Sequence, residues 1–270
     1  FFSVDIVGST AYKNQHAENS VQPWLPFFKD FYTQFPIVYR RHISDEKTVA
    51  NFEGDLPIPD LWKSLGDELL FQTELKDHRH VSILVSAFKG AIEKYNQDIS
   101  HSPLRLKGTA WLAGFPVINA EISFEQQYDF IGPSIDIGFR LTKFATEQQL
   151  VISIDLAYML LKKVDNLEFV YDGKHQLKGV LNNKPYPVIW IKMNYPNADP
   201  FEDKIIPKTD RDNLFKFCKN FIENAEYPLI FPFIHGDTEF NKAPEGYGEK
   251  LKQIIQVLKS HDEREDIQQS

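Results

Sequence analysis

Residues 61–73 read Leu61-Trp62-Lys63-Ser64-Leu65-Gly66-Asp67-Glu68-Leu69-Leu70-Phe71-Gln72-Thr73. Two short apolar runs flank Gly66-Asp67-Glu68, a turn composition, so the stretch predicts a tight β-hairpin. Before it, Phe1-Phe2-Ser3-Val4-Asp5-Ile6-Val7 alternates like a buried strand, with Asp5 out of place, and Gly8-Ser9-Thr10 follows as a turn. From Trp24 to Arg41, the residues Trp24, Phe27, Phe28, Phe31, Phe35 and Val38 form an apolar stripe at helical spacing. Pro26 and Pro36 fit near the ends of that helix or at a kink. Residues 51–60, with Gly54, Pro57 and Pro59, read as a loop.

After the hairpin, Val81, Leu84, Val85, Phe88, Ile92 and Tyr95 share one face of a helix over 79–97. Strands are expected near 104–111, 116–123 and 128–131. Gly132-Pro133-Ser134 then opens a helix to about Phe144, with Pro133 in its first turn. A strand over 150–154, a helix over 155–163 and strands near 167–171 and 186–192 complete the pattern. This order predicts an α+β fold, its largely antiparallel sheet covered by helices on one face. Residues 194–208, with three prolines, read as a linker or surface strap. A helix over 211–225, an aromatic stretch over 227–233, a helix over 249–258 and a polar tail expected to fray follow. Because the sequence opens in mid-strand, further residues are expected before Phe1.

The chain has 30 basic and 38 acidic side chains, a net charge of −8, which disfavours a duplex nucleic-acid partner. No apolar run approaches the roughly 20 residues of a membrane span. A single cysteine, Cys218, excludes an intrachain disulfide and a thiolate-rich zinc site. A reducing, cytoplasmic setting is expected. Cys218 lies in an amphipathic helix near Phe215, Phe217 and Phe221 and is expected to be buried. His78-x-His80 is read as part of a loop.

Candidate chemistry centres on two aspartates. An ionised carboxylate in a strand core is costly unless it is paired or holds a metal. If the first strand lies beside the hairpin, Asp5 and Asp67 converge, and such a pair suits Mg²⁺ or Mn²⁺. Two such ions could neutralise a triphosphate. Each aspartate also has an ordinary role open to it: Asp67 in the turn, Asp5 as a capping or edge residue. Gly8-Ser9-Thr10 could open a helix whose N–H groups suit phosphate oxygens. Asp136 and Arg140, four apart, share a helix face, as a polar pair lining a cleft or as a surface ion pair. Asp129 has the same ambiguity, and Glu68 could be a third metal contact but, in a turn, is expected to face water.

These segments, in this order, resemble the class III nucleotidyl cyclases. Phe2 to Thr10 resembles the family's first metal strand and phosphate loop, and Lys63-Ser64-Leu65-Gly66-Asp67-Glu68 its Lys-x-x-Gly-Asp hairpin. Asp129 to Arg140 resembles the segment from base reader to transition-state arginine, and Leu177-Lys178-Gly179 the strand that supplies a phosphate-binding lysine. The resemblance covers residues 1 to about 193. It implies a ferredoxin-like, palm-type βαββαβ catalytic domain over 1–193 and a mostly helical extension over 194–270.

The resemblance also implies roles. Asp5 and Asp67, with Ile6 beside them, would hold two divalent ions, Mg²⁺ or Mn²⁺. Gly8, Ser9, Thr10 and Lys178 would contact phosphates, Lys63 and Asp129 would read the base, and Arg140 would stabilise the transition state. Arg140 and Lys178 would come from a partner protomer, so a homodimer with two shared sites is expected. Asp136 departs from the family's usual Asn, and an ionised carboxylate can only accept a hydrogen bond to the ribose. The segments Gly132–Arg140 and Trp111–Pro116 are most similar to the bacterial pyrimidine cyclases of the Pycsar antiphage system. That subgroup implies cyclic UMP or cyclic CMP as product, with UTP the preferred substrate and a bulky residue such as Trp62 or Tyr128 filling the space a purine would take. Lys63 and Asp129 taken alone imply ATP. A nucleotide-binding dimerisation module without catalysis is the alternative of another class.

Overall fold

The computed structural model describes residues 1–17, 22, 24–124, 127–163, 166–195, 209–225, 229–237 and 240–256. The expected tail over 260–270 and most of the strap over 194–208 lie outside them. Strand β1 (Phe2–Val7) is followed by the short helix α1 (Ser9–Gln15) and the long helix α2 (Trp24–Val49). The hairpin β2 (Asp60–Leu65) and β3 (Glu68–Gln72) leads into α3 (His78–Asp98) and β4 (Arg105–Ala110). A separate hairpin, β5 (Ala120–Phe124) and β6 (Gln127–Ile131), precedes α4 (Pro133–Leu141). The chain continues through β7 (Gln149–Ile152), α5 (Ile154–Lys163), β8 (Phe169–Gln176) and β9 (Pro185–Lys192) to α6 (Arg211–Glu223).

The main sheet runs β2-β3-β1-β4-β7-β9-β8. All neighbours are antiparallel except β4 and β7. Its first four strands with α2 and α3 form the βαββαβ unit, so the fold is α+β with a mainly antiparallel sheet. Alternation along the strands sorts side chains onto two faces. Phe2, Val4, Ile6, Leu69, Phe71 and Leu106 join the large core under α2 and α3. Leu70 and Trp111 point the other way, into a second cluster with Trp62, Phe130 and Ile135.

Helix α4 reaches both clusters, Ile135 joining the second and Ile137 and Leu141 the large core, so helices are not confined to one face as expected. Its close approach to Trp111 depends on Gly138, which carries no side chain. A Cβ there would sit 2.2 Å from the Trp111 ring. Other boundaries shifted too. Helix α2 runs to Val49, with Pro36 accommodated inside it. The strand expected over 116–123 begins only at Ala120, and the helix from Pro133 ends at Leu141 in a turn of 3-10 helix. Strand β8 runs eight residues and pairs with β9 across an irregularity between Tyr171 and Lys174.

Beyond β9, Leu214, Cys218, Ile222, Ile234 and Phe240 are buried in the large core. Cys218 is fully buried, and burial pushes its thiol up to about 12. His78 and His80, expected in a loop, stand in the first turn of α3. His78 Nδ1 and its backbone N–H each lie 2.8 Å from Asp237 Oδ2, which clasps the C-terminal segment to the domain.

Candidate active site

The turn of the first hairpin is two residues long, because Leu65 pairs directly with Glu68. Such a turn needs a positive φ, and Gly66 supplies it at 68°. Asp67 is thereby held at the tip, beside β1. The Ile6 N–H donates to the Asp67 carbonyl at 3.2 Å, and the Ser9 hydroxyl donates to its carboxylate. The hydroxyl of Tyr32 on α2 donates to the Gly66 carbonyl and braces the turn from outside.

Asp5 faces the side of the sheet opposite α2 and α3. Its cross-strand neighbours are Glu68 on β3 and Lys107 on β4. Lys107 Nζ lies 3.2 Å from Asp5 Oδ2. Burial raises the Asp5 pKa above its ordinary value; Lys107 pulls it down, and the charge of Asp67 pushes it up again. Glu68 is half-buried rather than facing water as expected. Burial raises its pKa as well, while a hydrogen bond from the Ser3 hydroxyl opposes the shift.

Lys107 is ion-paired with Asp5 and its charge also acts on Glu68, while Asp67 adds a third negative charge felt by both carboxylates. Such a donor set, all oxygen and short of positive charge, suits a hard divalent cation. Asp5, Asp67 and Glu68 are the side chains that could hold it. Ile6 sits between them in sequence, with its own side chain buried on the α2–α3 face. Lys107 and the contacts of Ser3, Ser9 and Tyr32 were not read from the sequence.

Gly8, Ser9 and Thr10 open α1, with Gly8 in the left-handed conformation at φ 78°. Lys63 Nζ donates to Asp129 Oδ1 at 2.7 Å and lies 3.9 Å from the centre of the Trp62 ring. This pair ties β2 to the β5–β6 hairpin. Phe139 on α4 flanks Lys63 from 5.9 Å.

Lys178 stands apart from these groups. Asp136 and Arg140 are exposed on α4, whose buried residues are Ile135, Ile137, Gly138 and Leu141. Among the described residues neither forms an ion pair. Lys178 follows β8 at the far edge of the sheet. The pairings carry the Asp5 row through Lys107, Gln149 and Lys192 to Glu168, at the start of β8. From that row, Lys178 is four strand spacings to the side and about ten residues along, roughly 35–40 Å in all. One chain does not bring Lys178 to Asp5 and Asp67.

A second group, Asp77, His78 and Asp237, has the spacing of a metal cluster. Its members have other work. Asp77 caps α3 through the Arg79 N–H at 2.8 Å. The Arg79 guanidinium bonds the Asp77 carboxylate and lowers its pKa to about 2.

No known protein-family model matches the sequence, and no curated protein matches it. Among solved structures, the adenylyl cyclase CyaB from P. aeruginosa is similar over 73% of this chain and 95% of its own, at 15% identity and a TM-score of 0.46. The guanylyl cyclase Cya2 is similar over 77% of this chain and 95% of its own, at 17% identity and a TM-score of 0.45. The guanylate cyclase domain of RhGC from Catenaria anguillulae, in complex with GTP, is similar over 72% of this chain and 94% of its own, at 11% identity and a TM-score of 0.42. These are likenesses in the course of the chain.

Proposed function

We propose that the chain is a metal-dependent nucleotidyl cyclase that converts a pyrimidine nucleoside triphosphate, UTP first, into its 3′,5′-cyclic monophosphate. The observation that carries this reading is the cluster of Asp5, Asp67 and Glu68 around Lys107, on the sheet face that also bears the Lys63–Asp129 pair. Divalent cations held there would lower the pKa of the ribose 3′-hydroxyl and neutralise the triphosphate. The 3′-oxygen attacks the α-phosphorus, the bond from that phosphorus to the bridging oxygen breaks, and pyrophosphate leaves with the electron pair. The hydroxyl proton passes to water, so no dedicated protein base is needed.

The remaining roles follow the geometry. Thr10 and the N–H groups after Gly8 would contact phosphates. Arg140 and Lys178 would act in the site of a second copy, Arg140 on charge developing in the transition state and Lys178 on the terminal phosphates. The distance of Lys178 from its own carboxylates supports a head-to-tail homodimer with two shared sites. Exposed apolar residues on β2 and the β5–β6 hairpin, Leu61, Leu65, Ile122 and Ile131, support the same assembly. Asp136 would accept a hydrogen bond from the ribose where Asn would donate one.

Trp62 and Phe139, the aromatic side chains beside Lys63, would fill space that a purine needs and so favour a small base. Within the bacterial antiphage setting implied by the resemblance, the cyclic product would be a second messenger. Residues 1–193 would carry this chemistry, and 194–270 would form an extension docked on it. The Lys63–Asp129 ion pair favours one second reading, adenylate cyclase, in which it reads adenine.

The test is incubation with ATP, GTP, CTP and UTP separately in Mn²⁺, with products identified by mass spectrometry. Cyclic UMP or CMP is the expected product. Cyclic AMP alone overturns the pyrimidine assignment, and the absence of any cyclic product overturns the enzyme.

A further inference from the structure

Helix α6, the end of β8 and the β8–β9 connection line a half-open cleft of about 510 Å³, away from the carboxylate cluster. One wall is aromatic. Phe217 and Phe221 are one helical turn apart, their ring centres 6.3 Å apart and their planes inclined by 31°. Both rings are only partly buried. The Lys174 ammonium caps them from 5.8 and 5.5 Å. The polar lining comes from the Asn182, Asn220 and Asn224 carboxamides and from Lys174 and Lys184.

The chemistry of that lining is selective. Among the described residues no acidic side chain contributes to it, although the chain carries a net charge of −8. The Asn224 amide N–H donates to the Asn220 carbonyl at 2.8 Å, which turns the amide nitrogen inward on the helix and leaves its oxygen as an acceptor. Asn220 offers both a donor and two acceptor lone pairs. Opposite, Leu181 and Asn182 both hold positive φ, 48° and 51°. Leucine rarely adopts that conformation, and strained backbone of this kind gathers at ligand clamps.

We propose that this cleft is a binding site for a nucleoside monophosphate, distinct from the catalytic site. The base stacks on Phe217 and Phe221, as bases do on exposed aromatic side chains. The asparagine carboxamides bond the edge of the base, and Lys174 swings from the rings to the phosphate. The volume lies within the range of small-molecule pockets. The same β8–β9 connection carries Lys178, so an occupant here fixes the loop on which that lysine stands. The lining chemistry carries this proposal whether or not the chain is a cyclase.

The test is calorimetric titration of the full chain in EDTA, so that metal-dependent binding elsewhere is silent. The probes are the 5′-monophosphates of uridine, cytidine, adenosine and guanosine, with inorganic phosphate as the fifth. At least one nucleotide binds with a stoichiometry of one per chain. Phe221→Ala weakens it by about tenfold or more, the scale of one lost base–aromatic stack. Lys174→Glu, at an exposed position where folding is not at stake, weakens it as well. Asp67→Ala leaves it unchanged. Failure of all four nucleotides overturns the site, as does phosphate binding as tightly as they do. So does nucleotide binding that survives both the Phe221 and Lys174 substitutions, or that Asp67→Ala removes. The cyclic products formed from triphosphates report on the catalytic reading separately.

Discussion

Among single residues, Asp67 has the sharpest prediction. It stands at the tip of a turn whose backbone is fixed by Gly66, so Asp67→Ala leaves the fold intact and removes cyclic product below detection. An unchanged melting temperature with lost turnover is the expected pair of results; retained turnover removes the metal assignment. Asp5 adds a pH dependence. Burial raises its pKa, so it takes up a proton at a higher pH than an ordinary aspartate, and cation binding must release that proton. Mn²⁺ affinity measured by titration therefore weakens as pH falls, and Asp5→Asn removes most of the affinity at every pH. Cys218 tests the other core. Its pKa is raised from 9.0 to about 12, so the thiol stays protonated in the folded state. Any stability tied to it is complete below pH 9 and is lost as pH rises towards 12. Native protein at pH 8 resists iodoacetamide, and unfolded protein reacts at the rate of a free thiol.

Elements were legible where one rule governed them. The hairpin at 61–73 declared itself through its turn residues, and α3 through its apolar stripe. The docking of α4 was hidden, because the feature that permits it is the absence of a side chain at Gly138, which no periodicity reports. Gly138→Ala drives a methyl group into Trp111 and costs about 1–3 kcal/mol, seen as a lower denaturant midpoint. Asn96 was equally silent. It is a buried polar residue on α3 whose carboxamide both donates to the Leu106 carbonyl at 2.9 Å and accepts from the Leu106 N–H at 2.7 Å. These bonds fix β4 one residue before Lys107, so Asn96→Ala loosens the strand that brings Lys107 to Asp5. A loss of about 1–3 kcal/mol in chemical unfolding is expected, the cost of leaving buried backbone groups unpaired. Of the candidate site, Asp5 and Asp67 were readable because charge in an apolar run is conspicuous. Glu68 was open as a third metal contact but was expected in water, and Lys107 was not singled out, because the meaning of both depends on which strands are neighbours. The sheet order β2-β3-β1-β4 makes them face one another, and local sequence does not state that order.

At the scale of the whole molecule, Asp5 lies on β1 and Lys178 follows β8, four strands apart in one sheet. If two chains complete each other, equal amounts of Asp5→Ala and Arg140→Ala protein, each inactive alone, recover about a quarter of the wild-type activity on mixing. That is the value for random pairing with one intact site in each mixed dimer. No recovery on mixing would separate Arg140 from the shared site. If the proposed site is shared in this way, the separation of Lys178 from its own carboxylates has a quantitative consequence for a cell. A catalyst assembled from two identical halves has a specific activity that depends on its own abundance. Halving the amount of protein well below the dimerisation constant quarters the output rather than halving it. Transcription of such a gene would then act as a threshold on the signal, and a few stray copies would stay quiet without any inhibitor.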